Sequence, residues 1–91
     1  MKISKHAAER LLQRFKLWFP YLIEHPTIHG ARTLLEILIK ECEEIHDWKY
    51  NPFYCNYHGM NPKTCKVLRY KELMYLFVRD DTVTTVVKKY K

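Results

Sequence analysis

Apolar residues in the first nineteen positions recur at helical spacing and predict an amphipathic helix that begins after Ser4. The Ser4 hydroxyl is suited to accept from an early backbone N–H, so Ser4 is the expected N-cap. Pro20 is expected to end or kink this helix, and residues 21–29 then form a turn. The predicted buried arc of the helix comprises Ala7, Ala8, Leu11, Leu12, Phe15, Trp18 and Phe19.

The rest of the chain changes its period from helical to alternating. Apolar spacing predicts a second helix over residues 31–46, with its acidic residues on the outer side. After Trp48 the period is two, and strands are predicted at residues 50–57, 64–70, 73–78 and 83–87, with turns at 58–63 and 79–82. The pattern therefore predicts an α+β fold in which two N-terminal helices pack on a three- to four-stranded antiparallel sheet.

Length and composition predict one domain over residues 1–91, since 47% hydrophobic residues suffice for one core and the chain is too short for two. No apolar run approaches the ~18–20 residues of a membrane span, so no membrane partner is expected. The basic start leads into an amphipathic helix rather than an apolar signal core, so the chain is expected to be unprocessed. Three cysteines, an odd number, favour free thiols and a cytoplasmic location.

The chain is basic, with a net charge of +6 and a pI near 9.3, and the charge is unevenly distributed. Residues 1–25 carry five Lys or Arg against two acids, and residues 48–91 carry nine against three. Residues 26–47 reverse the balance, with two basic residues against five acids. This distribution predicts a positive and a negative side and an anionic partner, and the alternative is that the charge serves only solubility.

One stripe of the first helix carries candidate chemistry. His6, Arg10 and Arg14 recur every fourth residue and fall on the border between the apolar arc and the polar side. An imidazole can transfer protons near neutral pH, and guanidinium groups bind phosphate oxygens through two hydrogen bonds. The stripe is thus suited to cleave a phosphodiester without a metal or merely to bind one, and ordinary solvated surface residues are a third interpretation.

Two segments resemble a family of small bacterial and phage proteins. Residues 3–14 contain a His-Ala-x-x-Arg-x-x-x-Arg helix start, and residues 67–87 end in an acidic turn followed by a Val-x-Thr-Val strand. That family is grouped with the RelE/ParE and barnase-like fold, which includes metal-independent ribonuclease toxins of toxin–antitoxin systems. Residues 31–65 do not match it.

The resemblance implies an endoribonuclease that needs no cofactor and no metal. His6, Arg10, Arg14 and the strand threonine, Thr85, would be catalytic, with Tyr70 as a weaker candidate for stacking or proton transfer. Apart from the resemblance, Lys66 and Arg69 are expected to follow a phosphate backbone as cations of the strand at 64–70, and Lys5 is a third candidate RNA contact. The implied partners are RNA, either free or on the ribosome, and an acidic antitoxin protein. The competing interpretation is a non-catalytic module that binds nucleic acid or protein through a basic surface.

A zinc site is an alternative reading of four residues. Cys42 and His46 are four apart in the predicted second helix, and Cys55 is followed three residues later by His58. Two thiolates and two imidazoles would complete a tetrahedral structural site if the helix end met the following hairpin. Free buried cysteine is the simpler interpretation.

Overall fold

The computed structural model describes residues 1–46, 48, 61 and 63–88, and it is an α+β fold. The helical elements are α1 (Lys5–Phe15), a 3₁₀ turn (Lys16–Trp18), α2 (Pro20–Glu24) and α3 (Ile28–Ile39). The strands are β1 (Lys2–Ile3), β2 (Glu43–Ile45), β3 (Cys65–Tyr70), β4 (Met74–Arg79) and β5 (Thr82–Lys88). The predicted strand at 50–57 and most of the predicted turn at 58–63 lie outside the described residues.

The sheet is larger than the sequence pattern predicted. Its five described strands have the order β1-β5-β4-β3-β2, and the expectation of three or four antiparallel strands was wrong. Strand β1 runs parallel to β5, whereas the other neighbours are antiparallel. Strand β1 has only two residues, which are too few to show an alternating pattern in the sequence. Its parallel pairing places the N-terminal segment beside the last described strand.

Both faces of the sheet bury apolar side chains. The larger core lies between the helices and one face, where Leu68, Leu76, Val83 and Val86 meet the inner sides of α1 and α3. The opposite face buries a second cluster, made of Trp48, Cys65, Val67, Phe77 and Val87. Because side chains alternate along each strand, this division assigns every strand residue to one of two faces.

The N-terminal helical region is divided into three pieces. Ser4 caps α1 as predicted, since its Oγ accepts from the N–H of Ala7 at 3.0 Å. Helix α1 ends at Phe15, and Pro20 starts α2 rather than ending a helix, because proline fits the first helical turn. The predicted burial of Trp18 is wrong, since that ring is 62% exposed. In the described residues, no helix combines the length and apolar character needed to cross a membrane.

The predicted second helix is shorter than expected. Helix α3 starts at Ile28, with Thr27 as its N-cap, and ends at Ile39 instead of continuing to residue 46. Three acidic residues follow within five positions, and negative charge is unfavourable at a helix C-terminus. The chain instead turns and enters β2, which pairs with β3 at the far edge of the sheet.

Candidate nucleic-acid interface

Helix α1 places the predicted basic stripe beside strand β5. Four of its side chains, Ala7, Ala8, Leu11 and Phe15, are fully buried, and the helix packs mainly on β5. These contacts fix the rotation of the helix about its axis. His6 and Arg14 are exposed and Arg10 is partly buried, so the three residues lie along the border of the packed face.

The two guanidinium groups of the stripe are held in different ways. Nη1 of Arg14 donates to the backbone carbonyl of Val86 on β5 at 2.7 Å. Nη1 of Arg10 donates to Oε1 of Gln13 at 2.5 Å, within the same helix. A guanidinium has five N–H donors, so each group retains donors for an anion while one bond orients it.

The stripe is extended by further cations at the same edge of the sheet. Lys5 lies at its start, where its Nζ is 3.9 Å from Oε1 of Glu9. Lys88 is exposed on β5 two residues after Val86, so it lies on the same side of that strand as the residue that Arg14 contacts. The imidazole of His6 makes no hydrogen bond or ion pair with any other described residue and is open to solvent. We call Lys5, His6, Arg10, Arg14 and Lys88 the basic edge.

The opposite edge of the sheet is acidic. Strand β2 exposes Glu43 and Glu44 at the other end of the strand order. Nε of Arg69 on β3 donates to a carboxylate oxygen of Glu43 at 2.9 Å, and a second guanidinium nitrogen also bonds that oxygen. The two exposed carboxylates of β2 therefore lie at the edge of the sheet opposite Lys88 of β5, while the cations of β3 and β4, Lys66, Arg69 and Arg79, lie between the two edges.

Thr85 does not join the helical stripe. In the register of the sheet it lies opposite Phe77, which belongs to the cluster on the face remote from the helices. Val83 and Val86 are the residues of β5 that face α1. A bulge between these two valines makes Thr84 the extra residue, and its Oγ1 donates to the Phe77 carbonyl at 3.2 Å.

Tyr70 also lies away from the stripe. It is 7% exposed and packs in the helix-side core, with its ring centroid 6.2 Å from that of Phe19. Nζ of Lys71 lies 5.2 Å from the Tyr70 ring centroid. A ring held between these neighbours is a core side chain rather than a platform for an RNA base.

Lys66 and Arg69, the two predicted RNA contacts on β3, lie away from the stripe on α1. Strand β4 separates β3 from β5, and Arg69 is engaged with Glu43. Lys66 pairs with Val78 and lines a cleft of about 360 Å³ at the β3–β4 end, together with Glu44, Lys63, Thr64, Cys65 and Asp81. Two carboxylates in that cleft offset its two lysines, so it is not an anion site by charge.

The zinc interpretation finds no support in the described part of the chain. Cys42 is half-buried and its Sγ donates to the carbonyl of Leu38 at 3.2 Å, while Nδ1 of His46 lies 3.4 Å from Oε2 of Glu44. Burial, and to a smaller extent Glu41, raise the pKa of the Cys42 thiol to about 11, which disfavours the thiolate that zinc needs. Residues 1–46, 48, 61 and 63–88 contain no group of three or more candidate ligands. Cys55 and His58 lie outside this part.

Sequence reasoning missed two features of this region. Lys88 lies one residue beyond the predicted strand at 83–87, whereas in the structure it ends β5 beside the stripe. The hydrogen bond between Arg14 and Val86 joins residues 72 positions apart, and it becomes visible only once the helix is packed on the last strand.

Comparison with models of known families, with curated proteins and with solved structures finds no match. The described geometry therefore defines a class only: a small α+β protein with a basic edge.

Proposed function

We propose that this protein binds RNA through the basic edge. The observation that carries the proposal is the paired arrangement of Arg10 and Arg14, which lie one helical turn, about 6 Å, apart and are each oriented by one hydrogen bond. Oriented guanidinium groups lose less side-chain entropy when they bind phosphate. Lys5 and Lys88 lie at the two ends of this pair and add charge along the path of a phosphate backbone.

Cleavage of the bound RNA is the second candidate function. It is favoured by the position of His6, an exposed imidazole one turn before Arg10. His6 would take the proton of a ribose 2′-hydroxyl, whose oxygen then forms a bond to phosphorus while the bond to the 5′-oxygen breaks and that oxygen takes a proton from water. Arg10 and Arg14 would stabilise the nonbridging oxygens. Thr85 and Tyr70 have no part in this proposal, because they lie outside the stripe. An endoribonuclease of this kind would fit the toxin of a toxin–antitoxin pair.

The binding proposal is tested by the salt dependence of affinity for a labelled single-stranded RNA in EDTA. Four cations contacting phosphates would give log K a slope of about −2.8 against log salt, or a loss of roughly 50-fold between 50 and 200 mM. Arg10→Ala is expected to reduce that slope by about 0.7. Arg32→Ala, an exposed arginine on α3, is the matched control. Equal effects of the two substitutions would overturn the proposal.

Cleavage is tested in the same samples. A ribonuclease of this mechanism yields products ending in a 2′,3′-cyclic phosphate in EDTA, and His6→Ala should remove cleavage while leaving RNA binding in place. Expression of the wild type should then arrest growth, and His6→Ala should relieve the arrest. If the wild-type protein leaves the RNA intact, the proposed cleavage is rejected and RNA binding without catalysis remains.

A further inference from the structure

Within the described part of the chain, the outer edge of β5 is paired with another strand along only part of its length. Among the described strands, β1 lies next to β5 and its register covers Thr82 and Val83 alone. Beyond that point two outward carbonyls accept hydrogen bonds from α1 and its N-cap residue instead. Ser4 Oγ donates to the Thr84 carbonyl at 3.2 Å, and Arg14 donates to the Val86 carbonyl.

This remaining edge offers backbone groups to another strand. In an antiparallel ladder a residue directs its N–H and its C=O to the same side, and the side alternates with each residue. The Val86 carbonyl faces outward, where Arg14 reaches it, so its N–H faces outward as well. Lys88 has the same orientation two residues later. Arg14 therefore occupies one acceptor of a stretch whose outward N–H and C=O groups, at Val86 and Lys88, could form up to four ladder hydrogen bonds and are paired with no other described strand.

The Arg14 side chain can exchange its hydrogen bond to Val86 for one to a ligand. Arg14 is exposed and lies on the last turn of α1, and its bond to Val86 is the contact that the structure gives it. A carboxylate binds a guanidinium through two hydrogen bonds, whereas a carbonyl accepts one. An incoming acidic segment would thus compete well for Arg14 and uncover the Val86 carbonyl at the same moment.

We propose that residues 84–88 of β5 bind an extended acidic segment of another protein by strand addition, with Arg14 turning from the Val86 carbonyl to a carboxylate of that segment. The proposal goes beyond RNA binding and shares Arg14 and Lys88 with it. The two ligands would therefore exclude each other, and an acidic partner of this kind would regulate the basic edge.

Charge repulsion disfavours a second copy of this chain as the binding partner of the β5 edge. Two β5 strands paired about Val86 would bring two Arg14 and two Lys88 side chains into one interface, where like charges repel. Head-to-tail association, in which β2 of a second copy would pair with β5, is also disfavoured. That strand has three residues, and its Glu43 carboxylate is already bonded to Arg69. A separate acidic segment satisfies both the backbone groups and the charge.

The test uses the full chain, labelled with ¹⁵N, and a ten-residue peptide that alternates Glu and Val. Amide shifts and hydrogen exchange are followed at Val86 and Lys88, with an N-methylated version of the peptide as the control for backbone pairing. We expect protection of both amides by the plain peptide, and at least about tenfold weaker binding after N-methylation, the equivalent of about 1.4 kcal/mol. Arg14→Gln should weaken peptide binding, and Arg32→Gln should leave it unchanged.

Each contrary result is distinct. Unchanged β5 amides, or equal affinity for the two peptides, would overturn strand addition, the second because it indicates charge attraction alone. Protection of the same amides that grows with protein concentration in the absence of peptide would identify a second copy as the occupant and overturn the proposal. RNA affinity measured separately keeps the two ideas apart: peptide pairing without RNA binding rejects only the proposed function, and RNA binding without pairing rejects only this inference.

Discussion

Gly30 is the position where one methyl group should have the largest effect on the helical layer. It is buried in the first turn of α3, and a Cβ placed there would lie 2.3 Å from the backbone carbonyl oxygen of His25. Real Cβ contacts essentially never fall under 3.0 Å, so Gly30→Ala must displace that carbonyl by about 0.7 Å. The same oxygen accepts from the N–H of Thr27 at 2.8 Å, which ties the displacement to the N-cap of the helix.

Opposing terms decide the size of the effect. Alanine is favoured over glycine inside a helix by up to about 1 kcal/mol. Overpacking against a rigid group costs about 1–3 kcal/mol, and loss of the Thr27 hydrogen bond adds about 1 kcal/mol. The steric clash and the lost hydrogen bond therefore outweigh the helix propensity gained with alanine. We expect Gly30→Ala to lower the free energy of unfolding by about 2 kcal/mol. For a domain of this size that lowers Tm by roughly 8–16 °C.

Urea and thermal unfolding followed by circular dichroism measure this change. His29→Ala is the matched control, because the neighbouring side chain is exposed and its removal should change stability by less than about 0.5 kcal/mol. A Gly30→Ala protein as stable as the wild type, or more stable, would show that α2 and α3 are not held in contact through the His25 carbonyl. The packing assigned to this corner of the fold would then be incorrect.

Three further predictions concern the capping residue, the last turn and a cysteine. Ser4→Ala should cost about 1 kcal/mol in urea unfolding, because it removes the cap of α1 and the bond to Thr84, and unchanged stability would contradict that role. Replacing Asp80 and Asp81, whose φ angles are 49° and 61°, by Asn and Gly should raise stability by about 0.5–1 kcal/mol in thermal unfolding, and a lower Tm would contradict the turn assignment. Since burial raises the pKa of the Cys42 thiol from 9.0 to about 11, the unfolded chain ionises first and stability should fall as pH rises from about 9 through 11. Cys42 alkylation by iodoacetamide in the folded protein should accelerate up to pH 11, and a plateau at pH 9 would contradict this.

The local patterns of the sequence were sufficient for most individual elements. The three strands β3, β4 and β5 fall within one residue of their predicted bounds, because continuous β-branched and apolar runs identify buried strands. The N-cap at Ser4 follows from the chemistry of its hydroxyl. The predicted end of the second helix was wrong because Ile45 continued the helical spacing, whereas the acids around it favoured an exit from the helix.

The candidate site depends on distant pairing, which the sequence pattern does not contain. The stripe of His6, Arg10 and Arg14 was predicted correctly as a helical border, since that follows from a period of 3.6 residues. The face of Thr85 was not predictable, because one extra residue at the bulge reverses which side chains of β5 meet the helix. Parallel pairing of β1 with β5 is equally hidden, although it brings α1 to the outer edge of the last strand.

Arg14 is the residue at which stability and binding compete. In the free protein it satisfies the Val86 carbonyl at an edge that no described strand pairs beyond Val83, as charged side chains often do on edge strands. The bond is part-buried and takes one of the five guanidinium donors, whereas a carboxylate on an added strand offers the guanidinium two acceptors in place of one. In the proposed strand addition, a carboxylate that binds Arg14 in this way removes the protection of β5 as the segment pairs. Under that proposal, release of Arg14 and exposure of the strand edge are one event, and a segment that supplies both a carboxylate and a backbone to pair gains from each.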